Sequence, residues 1–170
     1  MSSLTLMKVV ILGDGNVGKT SLVRRFCSDR FESSRVATIG VDFQTKNVQL
    51  ESKELKLSLW DMAGQKQFQS VRENFYKGSK AAILVYDLSC WESFINLRLW
   101  IKEINAIVPG IRFYIAGNKS DLIDQNIEQD GLQLAERMKV PYFPVSARTG
   151  EGVESLFKQI AKDYLDSSDQ

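Results

Sequence analysis

Histidine is absent from this chain and cysteine nearly so: its 170 residues include none of the first and two of the second. Without histidine there is no Ser-His-Asp or Cys-His nucleophilic centre and no His-ligated zinc or haem. Cys27 and Cys90 supply neither a disulfide framework nor a four-cysteine metal site, which fits a reducing compartment. An excess of charge is missing too. With 22 Lys+Arg against 21 Asp+Glu, the net charge of +1 exerts no global pull on nucleic acid or anionic lipid. No apolar run approaches the ~20 residues of a membrane-spanning helix. The N-terminal MSSLTLMKVVILG carries a lysine inside its apolar stretch and no small-residue cleavage site, so a signal peptide is not expected. Ser2 excludes N-myristoylation, and the terminal DSSDQ holds no cysteine for a prenyl group. Any chemistry therefore runs on carboxylates, hydroxyls, amines, backbone amides or a bound ion.

At 44% hydrophobic and 25% charged, the composition is that of an ordinary globular protein, and the length suits one domain. Short, continuous apolar runs at Leu4–Leu12, Ala81–Tyr86, Ile111–Ala116 and Val140–Val145 predict strands covered on both faces, as in a parallel sheet. The segments 42–50 and 55–61 alternate apolar with polar residues around the polar ESKE, which predicts an antiparallel hairpin. Helices are expected over 18–27, 67–76, 128–138 and 153–165. A fifth is expected from a capping box at Ser89–Glu92 to about Val108, before Pro109-Gly110. Strands alternating with helices imply an α/β fold: an open, doubly wound, mostly parallel six-stranded sheet with one antiparallel edge strand and helices on both faces. Ligands in such sheets bind outside the carboxyl ends of the strands, so motifs are expected after Leu12, Leu59, Tyr86, Ala116 and Val145.

After the first strand stands Gly13-Asp14-Gly15-Asn16-Val17-Gly18-Lys19-Thr20, a full G-x-x-x-x-G-K-[ST] pattern. Gly13 and Gly18 let the backbone curl so that N–H groups from Gly15 to Ser21 converge on phosphate oxygens, and the following helix adds its positive end. Lys19 reaches the β- and γ-phosphates, and the Thr20 hydroxyl ligates Mg²⁺. Asp61-Met-Ala-Gly64-Gln65 ends the third strand: a carboxylate for the metal shell, an N–H for the γ-phosphate and an amide to orient water. Asn118-Lys119-Ser120-Asp121 offers a carboxylate that accepts from guanine N1–H and N2–H₂, donors that adenine does not present together. Ser146-Ala147-Arg148 offers a backbone N–H for guanine O6. Taken singly, Asp121 also reads as a helix cap and Ser146 as a solvated turn; their order on successive strand ends favours the nucleotide.

GDGNVGKT, TIGVDF, WDMAGQ, FYKGS, NKSD and SAR together resemble the small GTPases of the Ras superfamily, closest to the Rab branch, over essentially the whole chain. The resemblance implies a single P-loop G domain over residues 1–170. It further implies a GTP/GDP switch with Mg²⁺ held by Thr20 and Thr38, with Asp61 acting on the ion through water. Thr38 and Gly64 are then γ-phosphate sensors, Phe31 packs on guanine, and Lys119 and Arg148 flank the base. Phe43, Trp60 and Phe75 match the aromatic triad that meets effectors, although ordinary core packing is an equally good reading of them.

Three departures stand out. The third base motif is SAR where SAK is usual. Lys66 follows Gln65 where Rab proteins usually carry Glu, a charge reversal on a surface that partners read. Arg35 stands three residues before Thr38, in R-V-A-T, similar to the switch of heterotrimeric G-protein α subunits. An arginine that reaches the transition state from the same chain is worth roughly 10³–10⁵ in rate in this superfamily, and on a loop without a bracing helical domain the gain is expected well below that range, since loop and rotamer entropy are lost on engagement. The alternative is an arginine on a solvated loop. Equal single-turnover rates in the parent protein and Arg35→Ala would dismiss a catalytic role.

The expected function is slow, Mg²⁺-dependent GTP hydrolysis by a switch with Rab-like regulation of membrane traffic. The catalytic set would be Gln65, Lys19, Thr38 and Gly64, with Arg35 as a candidate. Alternatives are a guanine-nucleotide-binding module with negligible hydrolysis and a P-loop kinase or ATPase. Expected partners are an exchange factor, a GTPase-activating protein and effectors. No nucleic acid is expected, and membrane contact is expected only if a lipidated tail lies beyond Gln170. A cytoplasmic monomer is the expected state.

Overall fold

The structure, a computed structural model, describes residues 4–31, 38, 40–122 and 124–170. Arg35 lies outside the described residues. Among the described residues six strands form one sheet: β1 (Thr5–Leu12), β2 (Val41–Leu50), β3 (Lys53–Met62), β4 (Ala81–Asp87), β5 (Arg112–Asn118) and β6 (Tyr142–Pro144), in the order β2-β3-β1-β4-β5-β6. Every neighbouring pair is parallel except the β2–β3 hairpin, where Phe43 pairs with Trp60 and Asp42 with Asp61. The expected α/β architecture with one antiparallel edge strand is therefore the observed one. β4 is buried throughout and β1 from Val9 to Leu12, whereas β2 at the edge is mostly exposed or half-buried. That contrast follows from crossover helices covering both faces of the central strands.

The helices are α1 (Lys19–Ser28), α2 (Gln69–Tyr76, preceded by a 3₁₀ turn at Lys66–Phe68), α3 (Trp91–Ile95), α4 (Leu97–Ile107), α5 (Gln125–Met138) and α6 (Val153–Ser168). One core, holding Leu22, Phe26 and Phe157, fills the α1/α6 face of the sheet. The other, holding Leu84, Trp100 and Ile104, fills the opposite face. No described helix is long and apolar enough to cross a membrane.

Two local expectations are corrected. The helix expected from Ser89 to Val108 is broken at Asn96 into α3 and α4, and no capping box forms. Cys90 is the N-cap and makes no side-chain cap bond, because the Ser89 hydroxyl donates instead to Asp87 Oδ1 at 2.6 Å. A side chain so short follows the nearest acceptor, and the aspartate at the end of β4 lies closer than the helix. α5 starts three residues earlier than the apolar pattern indicates, because the Asp124 side chain accepts from Asn126 N at 2.9 Å and caps the helix.

Candidate functional site

The loop from Gly13 to Gly18 leaves the end of β1 and enters α1, so its backbone amides and the first-turn N–H groups of α1 open at the same edge of the sheet. Gly18 has φ 95°, and a Cβ there would strike the Asn118 side chain; only glycine fits both the torsion and the space. As the N-cap it has no side chain to satisfy the helix's first N–H groups, which leaves them to an outside anion. Val17 is buried and Ser21 half-buried, while Asn16, with φ 67°, is exposed.

Lys19 is buried beneath this loop, and its ammonium donates to the Asp14 carbonyl at 2.8 Å. Burial pulls its pKa down to about 8, against the opposing pull of the Asp61 and Asp14 carboxylates. Among the described residues this one carbonyl engages one of the three ammonium N–H donors, and polyphosphate oxygens would take the others.

Beside Lys19, three oxygens converge from three segments. Thr20 Oγ1 lies 2.7 Å from Thr38 Oγ1 and donates to Asp61 Oδ2, and Thr38 Oγ1 lies 3.4 Å from the same carboxylate oxygen. Asp61 Oδ1 is buried and has no hydrogen-bond partner among the described residues. Desolvation, which outweighs the Thr20 and Thr38 bonds and the charge of Lys19, raises the Asp61 pKa above the ordinary carboxylate value. An all-oxygen set with one orphaned carboxylate oxygen suits a hard divalent cation. No cluster of three His, Cys, Asp or Glu occurs among the described residues, so such an ion would draw its other ligands from phosphate and water, the usual mode for Mg²⁺. The residues therefore fit Mg²⁺ bound together with a polyphosphate.

Gly64 presses against the phosphate loop: a Cβ there would collide with Gly15 N, the Asp14 carbonyl carbon and, at 2.8 Å, the Gly13 carbonyl oxygen. Next to it, Gln65 Oε1 is buried and has no partner among the described residues. A Cβ at Gly15, by contrast, would meet nothing within 4 Å among the described residues.

At the other end of the loop, Asn118 ties three strand-end segments together. Its amide donates to Val17 O at 2.9 Å, and its Oδ1 accepts from Ala147 N at 3.2 Å. Lys119, in the left-handed region at φ 64°, sends its ammonium to Asn16 O at 2.9 Å and pairs with Asp87 at 2.7 Å. Asp121 accepts from the Ser146 hydroxyl at 2.9 Å and lies 3.7 Å from the exposed guanidinium of Arg148. NKSD and SAR thus form one ledge beside the phosphate loop. Phe31, 40% exposed, stands just beyond α1. Phe43, Trp60 and Phe75 stack in a row, with ring centroids 4.9 Å and 5.7 Å apart. Phe43 and Phe75 are exposed and Trp60 half-buried, so the row is a surface more than a core.

Several supporting residues escaped the sequence reading. Asp87 holds Lys119, and Arg25 donates to Ala147 O at 2.7 Å, bracing the SAR turn from α1. Asn96 and Trp100 grip the two oxygens of Asp14 at 2.7 and 2.9 Å. A signal for Asp87 existed: it follows Tyr86 at the one strand end where a motif was expected and none was assigned. Arg25 and Trp100 carry no such signal, because an arginine or tryptophan on an amphipathic helix looks like any other.

The family model described as Ras family matches residues 8–166. Ras-related protein Rab7 of Pisum sativum is 41% identical over 176 aligned positions, covering 98% of this chain and 85% of that one. Ras-related protein RABG3f of Arabidopsis thaliana is 40% identical with the same coverage. Ras-related protein SEC4 of Saccharomyces cerevisiae is 36% identical, covering 93% of this chain and 74% of its own. The chain belongs to the Ras family of small GTPases, in its Rab branch.

Proposed function

We propose that the protein is a guanine-nucleotide switch that binds GTP and GDP with Mg²⁺ and hydrolyses GTP slowly on its own. The observation that carries this reading is the gathering of Thr20, Thr38 and Asp61 oxygens beside the buried Lys19, with Gly64 against the phosphate loop.

In the reaction, water attacks the γ-phosphorus in line while the bond to the β–γ bridging oxygen breaks, giving GDP and phosphate. Bound Mg²⁺ would neutralise charge on the β- and γ-oxygens, with Thr20 and Thr38 as its hydroxyl ligands and Asp61 in its shell. Lys19 stabilises charge on the same oxygens and loses part of its burial penalty by doing so. The Gly64 N–H donates to the γ-phosphoryl, and the Gln65 side chain orients the attacking water, a use for an amide oxygen that is buried without a partner among the described residues. On the ledge, the Asp121 carboxylate selects guanine, and the Ala147 region meets its carbonyl. Loss of the γ-phosphoryl releases Thr38 and Gly64, and with them the segments that carry Phe43, Trp60 and Phe75, so that effectors read the nucleotide state. An exchange factor and an activating protein act on those same segments. Similarity to the Rab-named relatives and to SEC4 supports a role in membrane traffic for a cytoplasmic monomer, recruited to membranes where a lipidated tail lies beyond Gln170.

The test is phosphate release from the GTP-loaded protein under single-turnover conditions, with Mg²⁺ and with a chelator. Mg²⁺-dependent release supports the switch. Tight GTP binding without release over many hours supports a nucleotide-binding interaction module instead.

A further inference from the structure

One buried cluster plays no part in the site as described. Arg72, on α2, is 3% exposed, and its guanidinium works in two directions. Nε and one terminal nitrogen form a bidentate pair with Glu103 of α4, at 3.1 and 2.7 Å, and Glu103 also accepts from the Tyr76 hydroxyl. The other terminal nitrogen donates to two backbone carbonyls, Ala63 O at 2.9 Å and Gln65 O at 2.6 Å. The guanidinium carbon sits 4.5 Å from the ring centre of Trp100, whose indole N–H is held by Asp14 in the phosphate loop.

The two carbonyls flank Gly64. In a trans peptide the C=O and the following N–H point in opposite directions. The carbonyl of Ala63 and the N–H of Gly64 belong to one such unit. When Arg72 draws the carbonyl toward α4, it turns the Gly64 N–H away from α4, and Gly64 is the residue that abuts Gly13–Gly15. The bond to Gln65 O fixes the next peptide but one and thereby the base of the Gln65 side chain.

We propose that Arg72 is a positioning residue that aims the Gly64 N–H and the Gln65 side chain at the γ-phosphoryl group, and that Glu103, Tyr76 and Trp100 hold it to that task. Trp100 extends the brace to Asp14, so that the phosphate loop and the Gly64 loop are referred to a single helix, α4. The inference rests on the assignment of Gly64 as the γ-phosphate donor.

The experiment compares affinities for GDP and for a non-hydrolysable GTP analogue, both with Mg²⁺. Arg72→Ala is expected to weaken the analogue at least about tenfold while GDP affinity stays within about twofold, a loss of one charge-assisted pair of bonds. Arg72→Lys, which keeps a donor but not the fork, should recover part of the loss. Since Arg72→Ala strands the Glu103 carboxylate in the interior, Arg72→Met with Glu103→Gln provides a second variant without a buried unpaired charge, and the same selective loss is expected of it. Equal weakening of both ligands, or of neither, in the variants that fold would overturn the proposal and leave Arg72 a purely structural residue. Gly64→Ala separates the underlying assignment: if it leaves analogue affinity unchanged, Gly64 is not the γ-phosphate donor, and the role of Arg72 falls with it.

Discussion

On the proposed function, ligand binding would depend most sharply on Asp121 and Lys19. Asp121 presents a carboxylate on an open ledge, where the Ser146 hydroxyl engages one of its oxygens and the Arg148 guanidinium stands by the other. Against adenine it would face an acceptor where guanine offers donors. Leaving one or two such groups unmatched costs about 1–3 kcal/mol each. Asp121→Asn is therefore expected to weaken GTP and GDP by about 10²–10⁴-fold, measured by titration with a fluorescent guanine nucleotide. Unchanged affinity would revive an ATP-directed P-loop enzyme. Lys19 and Asp61 show why the sequence was informative at this scale. Both are buried and both are pulled toward neutrality by desolvation; the Lys19 pattern points to phosphate by its spacing, whereas the D-x-x-G of Asp61 is weak alone and informative only in its order after it. Where a motif is made of side chains that must meet a ligand, the residue types betray it. Asp87 was missed because it meets a lysine and not the ligand.

Elements are where the reading from sequence fell short. The expected single helix over 89–108 breaks at Asn96, and that break turns the Asn96 amide and the Trp100 indole toward the same carboxylate, Asp14. Apolar periodicity registers helical phase, not a local discontinuity set by a side chain reaching another element. Trp100→Phe removes the indole donor while keeping most of the packing. It is expected to cost about 1.5–3 kcal/mol of stability, the range for a hydrogen bond to a charged group, read as a lowered denaturation midpoint at unchanged slope. A loss below about 0.5 kcal/mol would mean that the bond contributes nothing.

A second element-scale consequence concerns pH. Tyr86 of β4 and Tyr142 of β6 meet hydroxyl to hydroxyl at 2.9 Å over Gly131 of α5, where a Cβ would collide with the Tyr86 hydroxyl. Burial raises both phenol pKa values, that of Tyr142 to about 12. A pKa raised by folding contributes stability in full below the unfolded value near 10 and loses it as pH rises through the folded one. Stability should therefore fall between about pH 10 and 12. The double variant Tyr86→Phe, Tyr142→Phe should show a shallower fall in urea midpoint over that window. An identical fall would place the alkaline sensitivity elsewhere.

For the whole molecule, the make-up of the sheet was legible because buried strands read as unbroken apolar runs and the edge hairpin as alternation, but the order of its strands was not. The consequence is functional: β1, β3 and β5 all end at one edge, and the phosphate loop, Asp61–Gln65 and the base ledge meet there without any long-range signal in the sequence. What the sequence could not disclose is the bracing behind that edge, the contacts from α1, α2 and α4 that fix the loops. The contacts from α1 and α4 join residues 86 and 122 positions apart, and those from α2, Arg72 to Ala63 O and Gln65 O, span only nine and seven; no sequence pattern marks either kind. Near-neutral overall charge is consistent with this design, since the positive groups that matter are few and concentrated at one edge. Phosphoryl transfer demands little else: positioned water, neutralised charge and no histidine.

The most direct measurement is single-turnover phosphate release from the GTP-loaded protein with Mg²⁺, with chelator, and in Gln65→Leu. The expected result is slow release with Mg²⁺, suppressed by the chelator and at least about tenfold slower in Gln65→Leu at unchanged nucleotide affinity. Release that is independent of Mg²⁺ and equal in the two proteins, or no release from either, would contradict hydrolysis at this site.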